Sequence, residues 1–365
     1  MSKPMLLADF VRLPPAIRGD VVEGLAAAID VVAERAAPSH RFLRFGWYAA
    51  ALAAYGGDAR TLVVEEDAVP VLALPFVAVG PRMMRIAAIP GSYWPFRSFG
   101  LALGASDGAF KVALSVLGRH LNGLRVGPVY DDDPAASALV AAARAQGWVA
   151  ISRRLGESYT LDVPADTLGQ PWPRNSTLRK NRFHEKHLAA RGVLDWRSAS
   201  VADWPAAFAA LGTVEETSWI AHATDRTGMK FATDGHLAFW QAAAADPVLA
   251  AMFHAGLLTV DAVPAAFSFD LDTGDLRYAI ANGYDPRFAR QSPGKLLQWR
   301  NLAAARDRGV RRVDWGSGDS GYKAVLGAQV GPSIRDWLLL RPGLPALAGR
   351  MIGGLWSRSV SQTRR

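Results

Sequence analysis

The sequence predicts a mixed α/β protein made of two similar units in tandem. Two observations lead to this prediction. First, the chain has 365 residues, half of them hydrophobic, which is enough for two folded domains of ordinary size. Second, the same order of β-hairpin, helix, glycine stop and short strand occurs twice along the chain. Two copies of one order indicate two related folding units.

The first unit is predicted over residues 1–164. Its hairpin turns at Asp67-Ala68-Val69-Pro70, before the apolar run 71–79. A helix over 107–121 then stops at Gly123, and a strand over 124–129 follows. The pattern also predicts helices over 21–36, 42–55 and 134–146, and strands over 148–155 and 158–163.

The second unit is predicted over residues 174–342, after a Pro- and Gly-containing linker over 165–173. Its hairpin turns at Asp261-Ala262-Val263-Pro264. A strand over 276–284, a helix over 293–308 that stops at Gly309, and a strand over 310–315 repeat the order of the first unit. The remaining residues, 343–365, are predicted to form a basic amphipathic tail suited to a membrane interface, and a packed or frayed tail is the alternative.

The helix over 293–308 begins with Ser292-Pro293-Gly294-Lys295. Serine is a good N-cap, and proline suits the first helical position because it lacks an N–H group. The predicted helix start therefore presents backbone N–H groups at the end of a strand, an arrangement that binds phosphate. An ordinary capped helix without a ligand is the alternative.

The composition limits the function classes. A net charge of +8 favours an anionic partner. The absence of cysteine excludes disulfides and thiolate chemistry. The longest apolar stretch, 69–79, contains two prolines and is shorter than the roughly 20 residues of a membrane span. We therefore expect a cytoplasmic protein whose basic tail can touch the inner face of a membrane.

Three other motifs do not satisfy the chemistry they suggest. His184-Glu185-Lys186-His187 spaces its histidines three apart, whereas a zinc-protease helix needs four. Gly318-Asp319-Ser320-Gly321 is similar to a serine-protease loop but lacks an all-β context. No glycine triplet with dinucleotide-binding spacing follows a strand. We therefore expect no metal and no nicotinamide cofactor.

Several motifs in the second unit together resemble a known family. These are Ser292-Pro293-Gly294, Asp314-Trp315-Gly316 and Gly321-Tyr322-Lys323, preceded by the basic helix 176–192 and by Glu216-Thr217-Ser218-Trp219. In this order they resemble the GNAT acetyltransferases typified by the CelD/BcsL cellulose-biosynthesis proteins, which are relatives of the Fem aminoacyl ligases. The resemblance covers about residues 170–340 and implies two tandem GNAT-like domains.

The resemblance implies acyl-CoA as co-substrate, held between two parting strands with its pyrophosphate at the following helix start. The strands would be 276–284 and 311–315. The residues expected to bind the cofactor are Arg290, Gln291, Ser292, Gly294 and Lys295. They match the family's glycine fingerprint only loosely, which leaves the identity of the acyl carrier open.

The resemblance also implies the catalytic residues. Asp314 would act as general base, directly or through water, and capping of the turn at Gly316 and Gly318 is its structural alternative. Tyr322 would protonate the departing thiolate, and Lys323 would stabilise developing negative charge. For these two residues a purely structural role is the alternative.

The expected function is direct acyl transfer to an amine or hydroxyl of a cell-envelope polysaccharide, an amino sugar or a lipid long-chain base. The residues expected to bind the acceptor are Arg179, Arg182, Glu216, Trp219 and Tyr284. One alternative is a Fem-like ligase that uses aminoacyl-tRNA, the only nucleic acid expected. Another is a non-catalytic scaffold in an exopolysaccharide synthesis complex, whose slot between the strands would be filled by side chains.

Overall fold

A computed structural model describes residues 16–91, 96–165, 172–199, 201–218, 220–221, 228–232, 236–318 and 321–358. The elements of the first half are β1 (Ile17–Glu23), α1 (Ala28–Arg35), α2 (Phe45–Tyr55), β2 (Ala59–Glu66), β3 (Val69–Val79), β4 (Ile86–Ala88), β5 (Gly100–Leu101), α3 (Asp107–His120), β6 (Gly123–Tyr130), α4 (Pro134–Ala145) and β7 (Val149–Asp162).

The elements of the second half follow a similar order. They are α5 (Asn175–Ala189), β8 (Leu194–Ser198), α6 (Trp204–Thr217), α7 (Leu237–Ala244), α8 (Pro247–Met252), β9 (Phe253–Val260), β10 (Val263–Thr273), β11 (Leu276–Tyr284), α9 (Pro293–Asp307), β12 (Arg312–Ser317), α10 (Tyr322–Leu326), β13 (Gln329–Leu340) and α11 (Leu344–Arg358). The predicted mixed α/β class is confirmed.

The two hairpins turn in the same way. Asp67 and Ala68 join β2 to β3 with φ of 50° and 63°, and Asp261 and Ala262 join β9 to β10 with φ of 49° and 65°. Two successive residues with positive φ give the two-residue turn whose twist matches that of paired strands. The repeated Asp-Ala-Val-Pro motif therefore specifies the same local structure twice.

The strands of both halves form one continuous sheet. Their order is β1-β2-β3-β4-β6-β13-β7-β12-β11-β10-β9-β8, with β5 beside β3. The last strand of each half thus completes the other half: β13 pairs with β6, and β7 pairs with β12. The predicted division at residues 165–173 falls mostly outside the described residues and stays a prediction.

Two predicted elements were wrong. The strands expected over 148–155 and 158–163 are the single strand β7, because Gly156 pairs with Ile334 and the ladder with β13 continues across it. The helix expected from residue 21 begins only at Ala28, because Val21 and Val22 pair with β2. Both residues are β-branched, and such residues suit a pleated strand.

Aromatic side chains pack the halves together. Trp47 of α2 lies edge-on to Phe239 and Trp240 of α7, with ring centroids 4.9 and 6.1 Å apart. Phe42 and Phe96 of the first half reach Tyr278 of β11, each with its ring centroid 5.7 Å away. Most of these rings are fully buried, so the two halves share one hydrophobic core.

Candidate functional site

The parallel strands β11 and β12 pair over only three rungs, from Leu276 opposite Arg312 to Tyr278 opposite Asp314. Beyond Tyr278 they part. At the same level the ladder between β10 and β11 skips Ile280, since Phe269 pairs with Ala281 and Asp270 with Ala279. This β-bulge bends β11 away from β12 and opens a V-shaped gap at the carboxyl ends of both strands.

The gap contains a cavity of about 750 Å³. Its lining comes from β11, the start of α9, the end of β12, α10 and the segment after α6: Ile220, Gly228, Lys230, Ala279, Ile280, Ala281, Asn282, Gly283, Tyr284, Ala289, Ser292, Gly294, Lys295, Gln298, Trp315, Ser317, Gly318, Tyr322, Lys323, Val325 and Leu326. This volume is in the range of ligand-binding clefts.

Helix α9 begins at one wall of the cavity. Ser292 occupies the N-cap position in the left-handed conformation, with φ 52°, and its side chain makes no capping hydrogen bond. The predicted helix start and its N-cap residue are confirmed, whereas the predicted hydrogen bond to the serine side chain is not formed. The first N–H groups of a helix have no intrahelical acceptor. Gly294 and Lys295 carry two of these groups in α9, and both residues line the cavity. A Cβ on Gly294 would lie 3.2 Å from Tyr284 Cδ1, so the chain packs closely here.

Two lysines and a histidine interact electrostatically around this helix start. Burial and the neighbouring Lys180 lower the pKa of Lys295. Burial, Lys295 and Lys180 lower the pKa of His184. These side chains therefore repel one another, and an anion bound between them would relieve that repulsion. Lys180 and His184 are thus the α5 residues that interact electrostatically with Lys295. Neither of them belongs to the cavity lining, nor do the predicted Arg179 and Arg182, which are exposed as Lys180 is.

Tyr322 reaches the cavity from the start of α10. The Nδ2–H group of Asn282 donates to its hydroxyl oxygen at 2.9 Å, which links α10 to β11 across the gap. A phenol hydroxyl can both accept and donate a hydrogen bond. Tyr322 is thus placed on the cavity wall between the two parting strands.

Lys323 is 4 % exposed and holds the turn that follows β12. Its ammonium donates to the carbonyl oxygens of Trp315 at 2.7 Å, Ser317 at 3.0 Å and Gly316 at 3.2 Å. Three such bonds compensate the burial of the charge and shape this wall of the cavity. The role in charge stabilisation stays a prediction.

Asp314 lies at the last rung before the strands part and is not one of the lining residues. Its Oδ1 accepts from the Gly316 N–H group at 2.6 Å, as in the structural alternative. Burial raises the pKa of Asp314 to about 6, and the nearby Asp132 adds to the shift, while the Gly316 amide, the Tyr130 hydroxyl and Lys323 oppose it. The carboxyl is tuned as a general base would be, and that role stays a prediction.

The other predicted residues take different positions. Tyr284 lines the cavity. Arg290 is exposed and Gln291 is half-buried, and neither belongs to the lining. Glu216 is exposed on α6, and Trp219 lies outside the described residues. The structure thus brings together the helix start, Tyr284, Tyr322 and Lys323.

The lining also includes residues that the sequence analysis did not select, among them Lys230. The carboxylate of Glu215, fully buried on α6, accepts from the Lys230 and Phe231 amides at 2.8 Å. Burial raises the pKa of Glu215 and lowers that of Lys230. This carboxylate fixes the segment that carries Lys230 to the cavity wall. Lys230 follows no motif, so only the fold could reveal it.

Comparison with known proteins identifies the class of fold. Residues 175–324 match the family model described as an acetyltransferase (GNAT) domain. Residues 175–324 therefore have the fold of a GNAT acetyltransferase domain, and the predicted GNAT fold is confirmed. No curated protein matches the sequence significantly.

Three solved structures share the fold over most of their length. The C-terminal domain of a protein named as a lysylphosphatidylglycerol synthetase, from Agrobacterium fabrum, has a TM-score of 0.50 at 15% identity, covering 92% of this chain and 97% of its own. FemX has a TM-score of 0.54 at 11% identity, covering 85% and 94%. A protein of unknown function from Bacteroides thetaiotaomicron has a TM-score of 0.55 at 10% identity, covering 86% of this chain and 95% of its own. Such low identities show the fold alone.

Two further observations concern other kinds of site. Within the described ranges, no group of three or more histidine, aspartate and glutamate side chains is placed to hold a metal ion. None of the helices in the described part of the chain combines the length and apolar composition that spanning a bilayer requires.

Proposed function

We propose that the chain is an N- or O-acyltransferase that moves an acyl group directly from acyl-CoA to an acceptor. The open cavity between β11 and β12, with the start of α9 on its wall, is the observation that carries this proposal. A non-catalytic scaffold would be expected to fill this gap with side chains. The open volume therefore favours catalysis over the scaffold.

The donor is proposed to enter with its pyrophosphate at the helix start. The amides of Gly294 and Lys295 and the positive end of the α9 dipole would face the phosphates. Lys295 and Lys180 would supply the surrounding positive charge, and His184, whose pKa these two lysines and burial lower, would become easier to protonate once the phosphates are bound. The acyl group would then lie along the segment of β11 after the bulge at Ile280, where β12 no longer occupies the strand's edge.

In the proposed reaction the acceptor nitrogen or oxygen forms a bond to the thioester carbonyl carbon. The carbon–sulfur bond then breaks, and CoA leaves as a thiolate that takes a proton from Tyr322. The acceptor proton passes to water or, through water, to Asp314, since Asp314 does not itself line the cavity. Lys323 would lend positive charge to this wall, while its three carbonyl partners keep it in place.

The acceptor is proposed to be a cell-envelope polysaccharide, an amino sugar or a lipid long-chain base, as in proteins of the CelD/BcsL type. Tyr284 lines the cavity and is the described residue best placed to contact this molecule. Glu216, exposed near the end of α6, and Trp219, which lies outside the described residues, belong to the same proposal. Arg179 and Arg182, exposed on α5, would contact the acceptor only outside the cavity.

A second candidate donor is aminoacyl-tRNA. The specific observation in its favour is the run of exposed cations on α5, with Arg179, Arg182 and Lys186 facing solvent. Such a surface suits a phosphate backbone. Similarity of fold to FemX and to the lysylphosphatidylglycerol synthetase domain is consistent with this candidate but extends to the fold alone.

The test is release of free CoA thiol from acetyl-CoA and palmitoyl-CoA in the presence of amino-sugar and long-chain-base acceptors. We expect acceptor-dependent release, and a kcat about 100-fold lower in Tyr322→Phe with little change in KM, because general acid catalysis contributes at this scale. Tyr55→Phe, a similar change at a 43 % exposed tyrosine, is the control. Acyl transfer from aminoacyl-tRNA but from neither CoA ester would replace the proposal by its alternative.

A further inference from the structure

The last helix, α11, has two apolar faces. One face packs on the sheet: Ala346 is buried, Gly349 and Gly353 lie against Ile151, and the Trp356 ring lies 5.1 Å from the Arg153 guanidinium. The opposite face is also apolar but exposed. Its residues are Leu344, Leu347 and Met351, which are 81 %, 54 % and 84 % exposed. Their spacing of three and four places them on one stripe.

A second exposed apolar feature lies at the same edge of the sheet. Met83 and Met84, in the turn before β4, are 86 % and 49 % exposed. Asn122 connects this turn to the start of α11. Its side-chain amide donates to the Met84 carbonyl at 3.0 Å, and its own carbonyl accepts from the Arg341 N–H group at 3.0 Å. The methionine turn and the α11 stripe together are called the apolar rim here.

The charge around the apolar rim has one sign. Leu340 pairs with Gly123 and Val149, and Gly123 pairs with Ile86, so the starts of β4, β6 and β7 meet the end of β13 at this edge. The segments that meet there, 81–88, 117–125, 141–151 and 337–358, contain no aspartate or glutamate. Their exposed arginines are Arg82, Arg85, Arg119, Arg144 and Arg350.

We propose that the apolar rim and its arginines dock the protein on an anionic phospholipid surface. Exposed apolar residues on a helix flanked by arginines suit the boundary between headgroups and acyl chains, where the apolar face is buried and the guanidinium groups meet phosphate. A second copy of the chain fits poorly, because a twofold contact would bring the arginines of both copies together. The exposed leucine and methionine side chains would gain little from contact with a nucleic acid backbone.

The position of the rim relates it to the cavity. Strand β12 and strand β13 both run antiparallel to β7, so they point in the same direction, and β11 runs parallel to β12. The carboxyl ends of β11 and β12, which border the cavity, therefore point toward the edge of the sheet that carries the rim. A docked protein would turn these strand ends toward the membrane. The docking itself does not depend on the proposed acyl transfer.

The test is co-sedimentation of the full chain with vesicles of phosphatidylcholine alone or mixed with phosphatidylglycerol. We expect binding only to the mixed vesicles, weakened when salt is raised because the charge contribution is screened. The double variant Leu347→Glu/Met351→Glu should lower the partition coefficient at least about tenfold. Met83→Glu, in a different segment, should lower it as well.

The matched controls are Val330→Glu and Val193→Glu, since these valines are 60 % and 75 % exposed away from the rim. They should bind vesicles like the parent protein. Circular dichroism and acyl-CoA binding should be unchanged in every variant, which separates failure of docking from failure of the proposed function. Equal binding to both vesicle types, equal binding of the rim variants, or a stable dimer that the rim variants dissociate would each overturn the proposal.

Discussion

The two halves of the molecule each contain a V between parallel strands, and the described residues occupy the two Vs differently. In the second half β11 and β12 separate after three rungs around the cavity. In the first half β4 and β6 also separate after three rungs, at Ala88 opposite Arg125. There the chain turns back into the gap: the Arg97 amide donates to the Pro128 carbonyl at 2.8 Å, and Phe96 is 1 % exposed.

The start of the helix that follows the V also differs between the two halves. The start of α3 is occupied by a carboxylate of the protein itself, because Glu66 Oε1 accepts from the Ser106 N–H group at 2.9 Å. The start of α9 instead carries the cation Lys295, on which the positive charge of the neighbouring Lys180 acts. The two halves thus share one fold but differ in what occupies it. In the first half the Glu66 carboxylate and Phe96 lie at the helix start and in the gap, whereas the second half has the charge and volume that an external anion requires. The comparison predicts one donor site per chain.

The largest effect on stability is expected when the side chain that fills the first V is truncated. Phe96→Ala should lower the free energy of unfolding by about 3–5 kcal/mol, because a buried phenylalanine leaves a cavity when truncated. Urea denaturation measures this. Phe183→Ala, at a residue that is 59 % exposed, is the control and should change stability little. A loss below about 1 kcal/mol for Phe96→Ala would show that this side chain is not a packed plug.

The third rung of each V carries an ionisable residue, and the two differ in sign. Arg125 in the first V is paired with Asp336 at 2.7 Å, whereas Asp314 in the second V is buried with a pKa of about 6. An ordinary aspartate in the unfolded chain titrates near ~4. The folded state therefore binds this proton more tightly than the unfolded state does. Ionisation of Asp314 lowers the free energy of unfolding, and this loss is absent below about pH 4 and complete above about pH 6.

Asp314→Asn keeps an oxygen for the Gly316 amide and removes the buried charge. We expect the free energy of unfolding to rise by about 2 kcal/mol at pH 8 and to change little at pH 4. If Asp314 also accepts the acceptor proton, the rate should fall and the limb of its pH profile near 6 should disappear. The comparison variant Arg125→Gln should destabilise at both pH values, because it leaves Asp336 buried without this partner. A stability change in Asp314→Asn that is the same at both pH values would contradict this account.

The smallest effect is expected from reversing one charge at each helix start. Lys295→Glu should weaken acyl-CoA binding about tenfold, and less at high salt, because it replaces a cation near the phosphates with an anion. Lys111→Glu, the equivalent reversal in the first turns of α3, should leave affinity unchanged. Equal weakening by both variants would point to a general effect of net charge.

The sequence predicted those parts of this arrangement that depend on local signals. The paired Asp-Ala turns and the Ser-Pro-Gly start of α9 are short motifs, and both were found where expected. The pairing of the last strand of each half, β7 and β13, with strands of the other half was not predicted. A register between residues almost two hundred positions apart has no local signature.

The site shows the same limit. A helix with cations all round it does not reveal which of them lie near the start of α9, so the sequence did not single out Lys180 and His184, which interact electrostatically with Lys295. The closing of the first V by residues 96–99 depends on packing against distant strands. Lys230 reaches the cavity only because the buried Glu215 holds its backbone.

The most direct test of the central claim is calorimetric titration of the intact chain with acetyl-CoA and with palmitoyl-CoA. We predict that each chain binds one equivalent. The affinity should fall at least about 100-fold in Gly294→Glu, because a carboxylate beside the first α9 amides replaces the phosphate. Gly294→Ala should lose less, since its Cβ meets only the 39 % exposed Tyr284 ring. Two equivalents, no binding, or full binding in Gly294→Glu would contradict the account.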